Sequence, residues 1–214
     1  MNGYVITITH NENSVRCADR CIDTARKNAN FEVFNHVATT PEDDPISLAE
    51  KIGIPIEGFR EPYSRLENCV AAFLSHYSLW VDSINQDKPT VIFEHDAVVF
   101  DYIPNVPFTH VMNIGQPSYG KWNRPQHLGV GPLTTKRYFP GAHAYMITPA
   151  GARMLVEQAK VKARPTDIFL NIDTFPSLQE YYPFVARADD SFTTIQNRQG
   201  CAAKHNYTEN YKIL

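Results

Sequence analysis

The first 38 residues alternate between strand and helix patterns, and this alternation constrains the fold more than any other feature of the chain. Residues 4–9, YVITIT, are rich in the β-branched side chains that favour strands. Residues 11–28 then place apolar side chains at helical spacing, with Asn13 or Ser14 positioned to cap the helix. Residues 31–38, FEVFNHVA, return to strand character. A strand, a helix and a strand in this order predict a βαβ unit and therefore an α/β sheet.

The rest of the chain extends the alternation within one domain. Residues 64–85 repeat apolar side chains every three or four positions and predict a long helix, which is followed by a strand from Thr90. A second strand turns into a helix with Thr148 as its cap and Pro149 at its first position. Residues 116–139, dense in glycine, proline and basic residues, predict a long loop, and residues from about 192 to 214 a C-terminal tail. A chain of 214 residues without an internal repeat is expected to form a single domain.

Two acids interrupt an apolar strand pattern in residues 91–100, VIFEHDAVVF. Because an unpaired charge is costly to bury, Glu94 and Asp96 need either a partner or access to water. Side chains alternate along a strand, so we expect both carboxylates to face one way and His95 the other. Open α/β sheets bind ligands at the carboxyl ends of their strands, where two carboxylates suit a hard divalent ion that also contacts phosphates. A strand-end turn with solvated acids fits the spacing equally well.

Four further segments form an ordered set with this acidic strand. The five segments are ENCVAAFLSHYSLW, VIFEHDAVVF, GAHAYMITPAGARMLVEQA, RPTDIFL and YPFVARADDSFTTI. They resemble, in the same order, the motifs GCxxSHxxxW, ILEDDv, gtxaYliSxxGAkkLl, PvDxxl and PxvxxQxxxxSxI of the family 25 glycosyltransferases. This family includes lipopolysaccharide-chain and collagen-type sugar transferases. The resemblance spans most of the chain, from about residue 5 to residue 195.

The resemblance implies a GT-A fold, which is a Rossmann-like mixed sheet flanked by helices. Such a sheet binds a nucleotide sugar across its strand ends, usually with a divalent cation, here expected to be manganese or magnesium. Glu94 and Asp96 fall on the outer acids of the family's acidic triplet, where contact with ribose or metal is expected. His95 replaces the middle acid, and an imidazole is an acceptable ligand for manganese. His205, in the tail, is a further candidate metal ligand by the same resemblance.

The resemblance also assigns roles to residues outside the acidic strand. Asp167 falls on the family's second acidic position and is the candidate catalytic base, since one carboxylate suffices for direct displacement with inversion. The alternative is that Asp167 caps the helix that follows it. Ser75 and His76 match the family's SH pair and are candidate donor-binding residues, although a histidine among helical apolar residues is more often part of the core. Arg16 could contact a diphosphate near the first strand, or be a solvated helix residue.

The loop of residues 116–139 interleaves basic and aromatic side chains, which suit a phosphorylated sugar acceptor or a flipped or single-stranded nucleotide. The candidate acceptor-side residues are Lys121, Trp122, Arg124, Lys136 and Arg137. A solvated loop is the alternative explanation of these charges.

Composition and charge narrow the classes of function. A net charge of −3 and a pI of about 6.2 provide no overall basic field for nucleic acid. We find no signal-peptide pattern, no apolar stretch long enough for a membrane span, and four cysteines without metal-type spacing, which is typical of a cytoplasmic protein. No G-x-S-x-G elbow supports a hydrolase, and no G-x-G-x-x-G follows the first strand as an NAD-dependent oxidoreductase requires.

Taken with the resemblance, these observations predict a metal-dependent glycosyltransferase. It would move a hexose from a nucleotide diphosphate sugar, most simply a UDP-hexose, to an acceptor hydroxyl. The expected acceptor is a lipopolysaccharide-type glycan, and a hydroxylated base in DNA is the less expected one. The competing prediction is a non-catalytic nucleotide-sugar-binding protein of the same fold, which the replacement of an acid by His95 keeps open.

Overall fold

The computed structural model describes residues 1–62, 64–189, 192–197 and 212–214. These residues form eleven strands and five α-helices. In chain order they are β1 (Asn2–Thr7), α1 (Glu12–Lys27), β2 (Val33–Val37), α2 (Pro45–Lys51), α3 (Leu66–Gln86), β3 (Thr90–Glu94), β4 (Ala97–Val99), β5 (Val111–Asn113), β6 (Gly129–Pro132), β7 (Ala144–Ile147), α4 (Pro149–Val161), α5 (Thr166–Phe169), β8 (Gln179–Tyr182), β9 (Ala186–Ala188), β10 (Phe192–Thr193) and β11 (Lys212–Ile213).

Seven strands form one mixed sheet in the order β2-β1-β3-β7-β5-β8-β6. β1 pairs in parallel with β2 and β3, whereas β7 is antiparallel to both β3 and β5. β8 is parallel to β5, and β6 is antiparallel to β8. Two small sheets pair β4 with β9 and β10 with β11. The predicted fold class is confirmed: the chain is a mixed α/β protein with a Rossmann-like sheet flanked by helices.

Helices cover both faces of the sheet, so its central strands are apolar on both sides. Val91 and Phe93 of β3 pack in the cluster that contains Ala18 and Cys21 of α1. Ile92, between them, packs in the cluster formed by α3 and α4 on the opposite face. This alternation explains why residues 91–93 read as an uninterrupted apolar run. Cys17, Cys21 and Cys69 are buried free thiols.

Helix starts follow local side-chain chemistry. Thr148 caps α4 by accepting a hydrogen bond from the Gly151 backbone N–H at 3.0 Å, as predicted. The predicted cap of α1 was wrong by two or three residues. Asn11 is the N-cap, and its side-chain oxygen accepts from the backbone N–H groups of Asn13 and Ser14. The Ser14 hydroxyl instead accepts from the Ile8 backbone N–H at 2.9 Å, which fixes the segment between β1 and α1.

Two segments differ from the sequence prediction. The single strand expected from Thr90 divides, because β3 ends at Glu94 and a turn at His95 and Asp96 sends β4 to a separate sheet with β9. The long loop of residues 116–139 contains β6, the edge strand of the main sheet. Glycine and proline are depleted in strands, so the sequence GVGP of β6 carried no strand signal. Among the described residues, no helix has both the length and the apolar character needed to cross a membrane.

Candidate active site

A cleft of about 300 Å³ opens at the carboxyl ends of β1, β2 and β3. The chain leaves β1 through α1 to reach β2 on one side, and then returns through α2 and α3 to β3 on the other side. The direction of winding therefore reverses between β1 and β3, and such switch points are where open α/β sheets bind ligands. The cleft is lined by the ends of these strands, one face of α3, Thr194 and Ile195 after β10, and Leu214.

Small side chains on α3 leave the room for this cleft. Ala71, Ala72 and Ser75 lie on one face of the helix at three- and four-residue spacing, and all three line the cleft. The Ser75 hydroxyl donates to the Ala71 carbonyl and accepts from the Thr39 backbone N–H, both at 2.9 Å. Ser75 therefore lies in the cleft wall and ties the segment after β2 to α3, and its role in binding a donor stays a prediction.

Glu94 reaches the cleft at the end of β3, and a buried hydrogen-bond chain holds it there. His76 Nε2 lies 3.1 Å from Glu94 Oε1, and His76 Nδ1 lies 3.0 Å from the Tyr145 hydroxyl. The Trp80 indole N–H donates to that hydroxyl at 2.8 Å. Burial lowers the pKa of His76 to about 3, so the imidazole is neutral at physiological pH. The structure thus brings together His76 and Glu94, which lie 18 positions apart in sequence.

His95 lines the cleft beside Glu94, whereas Asp96 does not. The His95 ring stacks on Phe192 with 5.3 Å between ring centroids, and its Nδ1 lies 3.1 Å from the Ser14 hydroxyl. Asp96 lies toward α1, where burial and, second, the Asp96 charge raise the pKa of the Cys21 thiol. The expectation that Glu94 and Asp96 share one face was wrong, because strand alternation ends at Glu94 and the turn begins there.

The residues around the cleft suit a divalent ion that is bound by one protein carboxylate, Glu94, and otherwise by substrate and water. Within the described ranges, no three His, Cys, Asp or Glu side chains are grouped so that they could hold a metal. His205 lies outside the described residues. Glu94 and His95 both line the cleft, whereas Asp96 does not. One carboxylate together with substrate phosphates and water is the usual coordination of Mg²⁺, so the residues present suit that mode.

Arg16 lies on the exposed side of α1 and does not line the cleft. Its guanidinium donates to the Asn13 side-chain oxygen at 3.0 Å. Arg16 borders a second, shallower depression that shares His10 with the cleft. The contact between Arg16 and a diphosphate stays a prediction.

Asp167 is the second residue of α5, and Pro165 is the N-cap of that helix, so the capping explanation of Asp167 does not hold. One carboxylate oxygen accepts from the Ile168 backbone N–H at 2.8 Å, and the other accepts from the Tyr119 hydroxyl at 2.5 Å. Burial raises the pKa of Asp167, and the hydrogen bond from Tyr119 opposes this shift. Asp167 does not itself line the cleft, but its charge acts on His76, which does.

The acceptor-side candidates are divided between protein contacts and solvent. The Lys136 ammonium donates to the Tyr119 carbonyl at 2.9 Å and lies 5.0 Å and 5.3 Å from the ring centroids of Tyr119 and Tyr138. Arg137 forms an exposed ion pair with Asp173. The structure therefore uses two of the four predicted cations for internal contacts.

The other three candidates lie at the surface. The Arg124 guanidinium carbon lies 5.7 Å from the Tyr182 ring centroid, and the Trp122 ring packs edge-on against Phe184. Lys121 is exposed. These residues form an aromatic and basic surface that a sugar or a base could contact.

Two functional or structural side chains escaped the sequence analysis. Tyr119, the partner of Asp167, stands in a loop-like segment where nothing in the pattern distinguishes it from a solvated tyrosine. Glu180, in β8, is fully buried and accepts hydrogen bonds from backbone and hydroxyl groups of Thr134 and Thr135. It anchors residues 134–135 to the sheet. The only signal was an acid inside QEYY, which is too short to predict a strand.

No protein-family model matches the chain, and a search of curated proteins found no significant match.

Proposed function

We propose that the chain is a metal-dependent glycosyltransferase of GT-A type that moves a hexose from a nucleotide diphosphate sugar to an acceptor hydroxyl. The observation that carries this proposal is the cleft at the switch point between β1 and β3, with the Glu94 carboxylate held at its edge. A cleft at this position suits a nucleotide. The resemblance of five ordered segments to the family 25 glycosyltransferases supports the same class of reaction.

The side chains take separate parts in the proposed reaction. Glu94 holds the donor, and manganese or magnesium bound there would supply positive charge to the diphosphate leaving group. Asp167 accepts the proton of the acceptor hydroxyl as its oxygen bonds to the anomeric carbon. The bond from that carbon to the diphosphate breaks on the opposite side, which inverts the configuration. Tyr119 holds Asp167 in place until the acceptor hydroxyl replaces it.

The acceptor in this proposal is a glycan hydroxyl. Proteins that bind DNA contact several phosphates with lysine and arginine. Lys136 and Arg137, however, are engaged by Tyr119 and Asp173, and the net charge of the chain is −3. A hydroxylated DNA base is therefore the less favoured acceptor. Trp122 and Tyr182 offer ring faces and edges on which a sugar can pack.

Thermal melting against a panel of nucleotide sugars, with and without manganese, tests the proposal. A ligand that binds only the folded protein raises the melting temperature by mass action. We expect a metal-dependent increase with one uridine diphosphate sugar, and its loss in Glu94→Gln. The exposed Glu67 of α3, the helix that carries His76, provides a matched control, since Glu67→Gln should retain the increase. An unchanged melting temperature with every donor would contradict the proposal.

One observation favours a second candidate, a nucleotide-sugar-binding protein without turnover. Asp167 does not line the cleft, and one of its oxygens is engaged by Tyr119. Slow hydrolysis of the donor in the absence of acceptor separates the two candidates. A transferase releases nucleoside diphosphate at a rate that falls in Asp167→Asn, whereas a binder releases none.

A further inference from the structure

The hydrogen-bond chain that ends at Glu94 has a single consistent direction. The Trp80 indole N–H can only donate, so the Tyr145 oxygen accepts from it. The one hydroxyl hydrogen of Tyr145 is then given to its other partner, His76 Nδ1, at 3.0 Å. Nδ1 is therefore the acceptor nitrogen of the ring. The ring proton lies on Nε2, which donates to Glu94 Oε1 at 3.1 Å.

We infer that His76 is a positioning residue whose Nε2–H, oriented by Tyr145 and Trp80, fixes the Glu94 carboxylate at the edge of the nucleotide cleft. The identity of the ligand rests on the proposed function, whereas the positioning of Glu94 does not. His76 acts through Glu94: it holds one carboxylate oxygen and so sets the direction of the other.

Burial along the chain makes this orientation rigid. Trp80 and Tyr145 are fully buried and His76 is 1% exposed, so water cannot replace a partner that is removed. The His76 ring also stacks on the Tyr145 ring at 5.8 Å between centroids. The Glu94 side chain, in contrast, is 30% exposed and lines the cleft. The hydrogen bonds from Trp80 through Tyr145 and His76 therefore fix a carboxylate that a ligand can reach.

The tautomer of His76 tests the inference without any ligand. Long-range ¹⁵N–¹H correlation spectra of the free protein at neutral pH distinguish the two neutral tautomers and the imidazolium. We expect a ring protonated on Nε2 alone. Protonation on Nδ1 alone would reverse the bond to Glu94 and overturn the inference. Protonation on both nitrogens would keep that bond but would make Nδ1 a donor to Tyr145, which overturns the orienting role of Tyr145 and Trp80.

Binding of UDP in the presence of manganese tests the consequence for the cleft. Removing a partner that orients a binding group commonly weakens binding by about 10- to 100-fold, and we expect this of His76→Leu. His76→Gln should recover most of the affinity, because its amide N–H₂ can occupy the position of Nε2. Tyr145→Phe, which removes one oxygen atom, should weaken binding less than His76→Leu.

Matched controls separate positioning from a general loss of stability. Tyr77→Phe makes the same change on the same face of the core, beside Trp80, but outside the chain. It should leave UDP affinity unchanged even if it lowers the melting temperature. Equal affinity of wild type, His76→Leu and Tyr145→Phe for UDP would overturn the inference. If wild type binds no nucleotide at all, the proposed function fails, and the tautomer of His76 in wild type and Tyr145→Phe still decides the positioning.

Discussion

Two carboxylates are held in opposite ways: Glu94, which lines the cleft, and Asp167, which does not. Glu94 ends a central strand, and its partner is His76, a buried residue of the 21-residue helix α3. Asp167 lies in the four-residue helix α5, and its partner is Tyr119, from the connection between β5 and β6. The first carboxylate is fixed by the core, and the second by a loop.

Under the proposed function, this difference fits separate roles for the two carboxylates. A group fixed by a packed core keeps its geometry when ligands arrive, which suits the binding of a donor. A group held by a loop can exchange its partner, which suits a base that must contact an incoming hydroxyl. Changes on the Glu94 side should therefore alter binding, and changes on the Asp167 side should alter turnover and its pH dependence.

The largest effect is expected from Asp167→Asn. The amide keeps the shape of the carboxylate but cannot accept a proton, and loss of a general base costs about 10²- to 10⁴-fold in rate. We expect kcat for sugar transfer to fall by this factor while UDP affinity stays within about twofold, as for other changes remote from a binding group. Asp173→Asn, an exposed carboxylate in the following loop, is the control. An Asp167→Asn protein with normal kcat would show that Asp167 is not the base.

Glu94→Gln should produce the complementary result. Hydrogen bonds to charged groups contribute about 1.5–3 kcal/mol, so we expect UDP affinity to fall by roughly 10- to 150-fold. Asp96→Asn should have a smaller effect, because Asp96 lies toward α1 and does not line the cleft. Isothermal titration calorimetry with manganese measures both affinities. A larger loss in Asp96→Asn than in Glu94→Gln would mean that the strand-end turn rearranges when the donor binds.

The same comparison explains what could be predicted from the sequence. The helices α1 and α3 could be predicted from the helical spacing of their apolar side chains. The central strands could be predicted from their continuous apolar runs, because both of their faces are buried. The partner of Glu94 could be suspected, since His76 stands on a predicted helix. The partner of Asp167 could not, because Tyr119 approaches it through a connection of irregular backbone. Nor could the orientation of Asp96, which depends on a turn that interrupts an apparently continuous strand.

The melting temperature of the protein should depend on the ionisation of Asp167, because the buried carboxylate destabilises the fold when it is charged. Burial raises the pKa of this carboxyl in the folded state, so the fold favours its neutral form. The stabilisation that the neutral form provides is complete below the unfolded pKa of about 3.9 and is lost as the pH rises through the higher folded pKa. Asp167→Asn should therefore melt at a higher temperature than wild type at pH 7. The difference should disappear at low pH, and calorimetric melting at several pH values measures it. An equal or lower melting temperature of Asp167→Asn at pH 7 would contradict the assignment.

Tyr119→Phe should move the pH dependence of turnover without removing activity. The Tyr119 hydroxyl donates to Asp167 and opposes the effect of burial, so its loss raises the pKa of Asp167 further. A base must be ionised to act, and the acidic limb of kcat/KM against pH should shift to higher pH. Tyr102→Phe, at an exposed tyrosine, should leave the limb in place. A shift to lower pH in Tyr119→Phe would mean that the hydroxyl favours the protonated carboxyl.

The smallest effects separate the two kinds of cation in the region 116–139. Arg137 is 69% exposed and paired with Asp173, and exposed ion pairs contribute only about 0–1 kcal/mol. Arg137→Ala should therefore leave the KM for acceptor unchanged. It should lower the free energy of unfolding by no more than about 1 kcal/mol. Lys121 is exposed. Lys121→Ala should therefore raise the KM for an anionic acceptor by a few-fold, as expected for one solvated charge. The KM for acceptor of both variants, measured at low and high salt, tests these two expectations. A salt-dependent rise in the KM for acceptor in Arg137→Ala would show that the ion pair between Arg137 and Asp173 opens when the acceptor binds. Arg137 would then contribute its positive charge to acceptor binding.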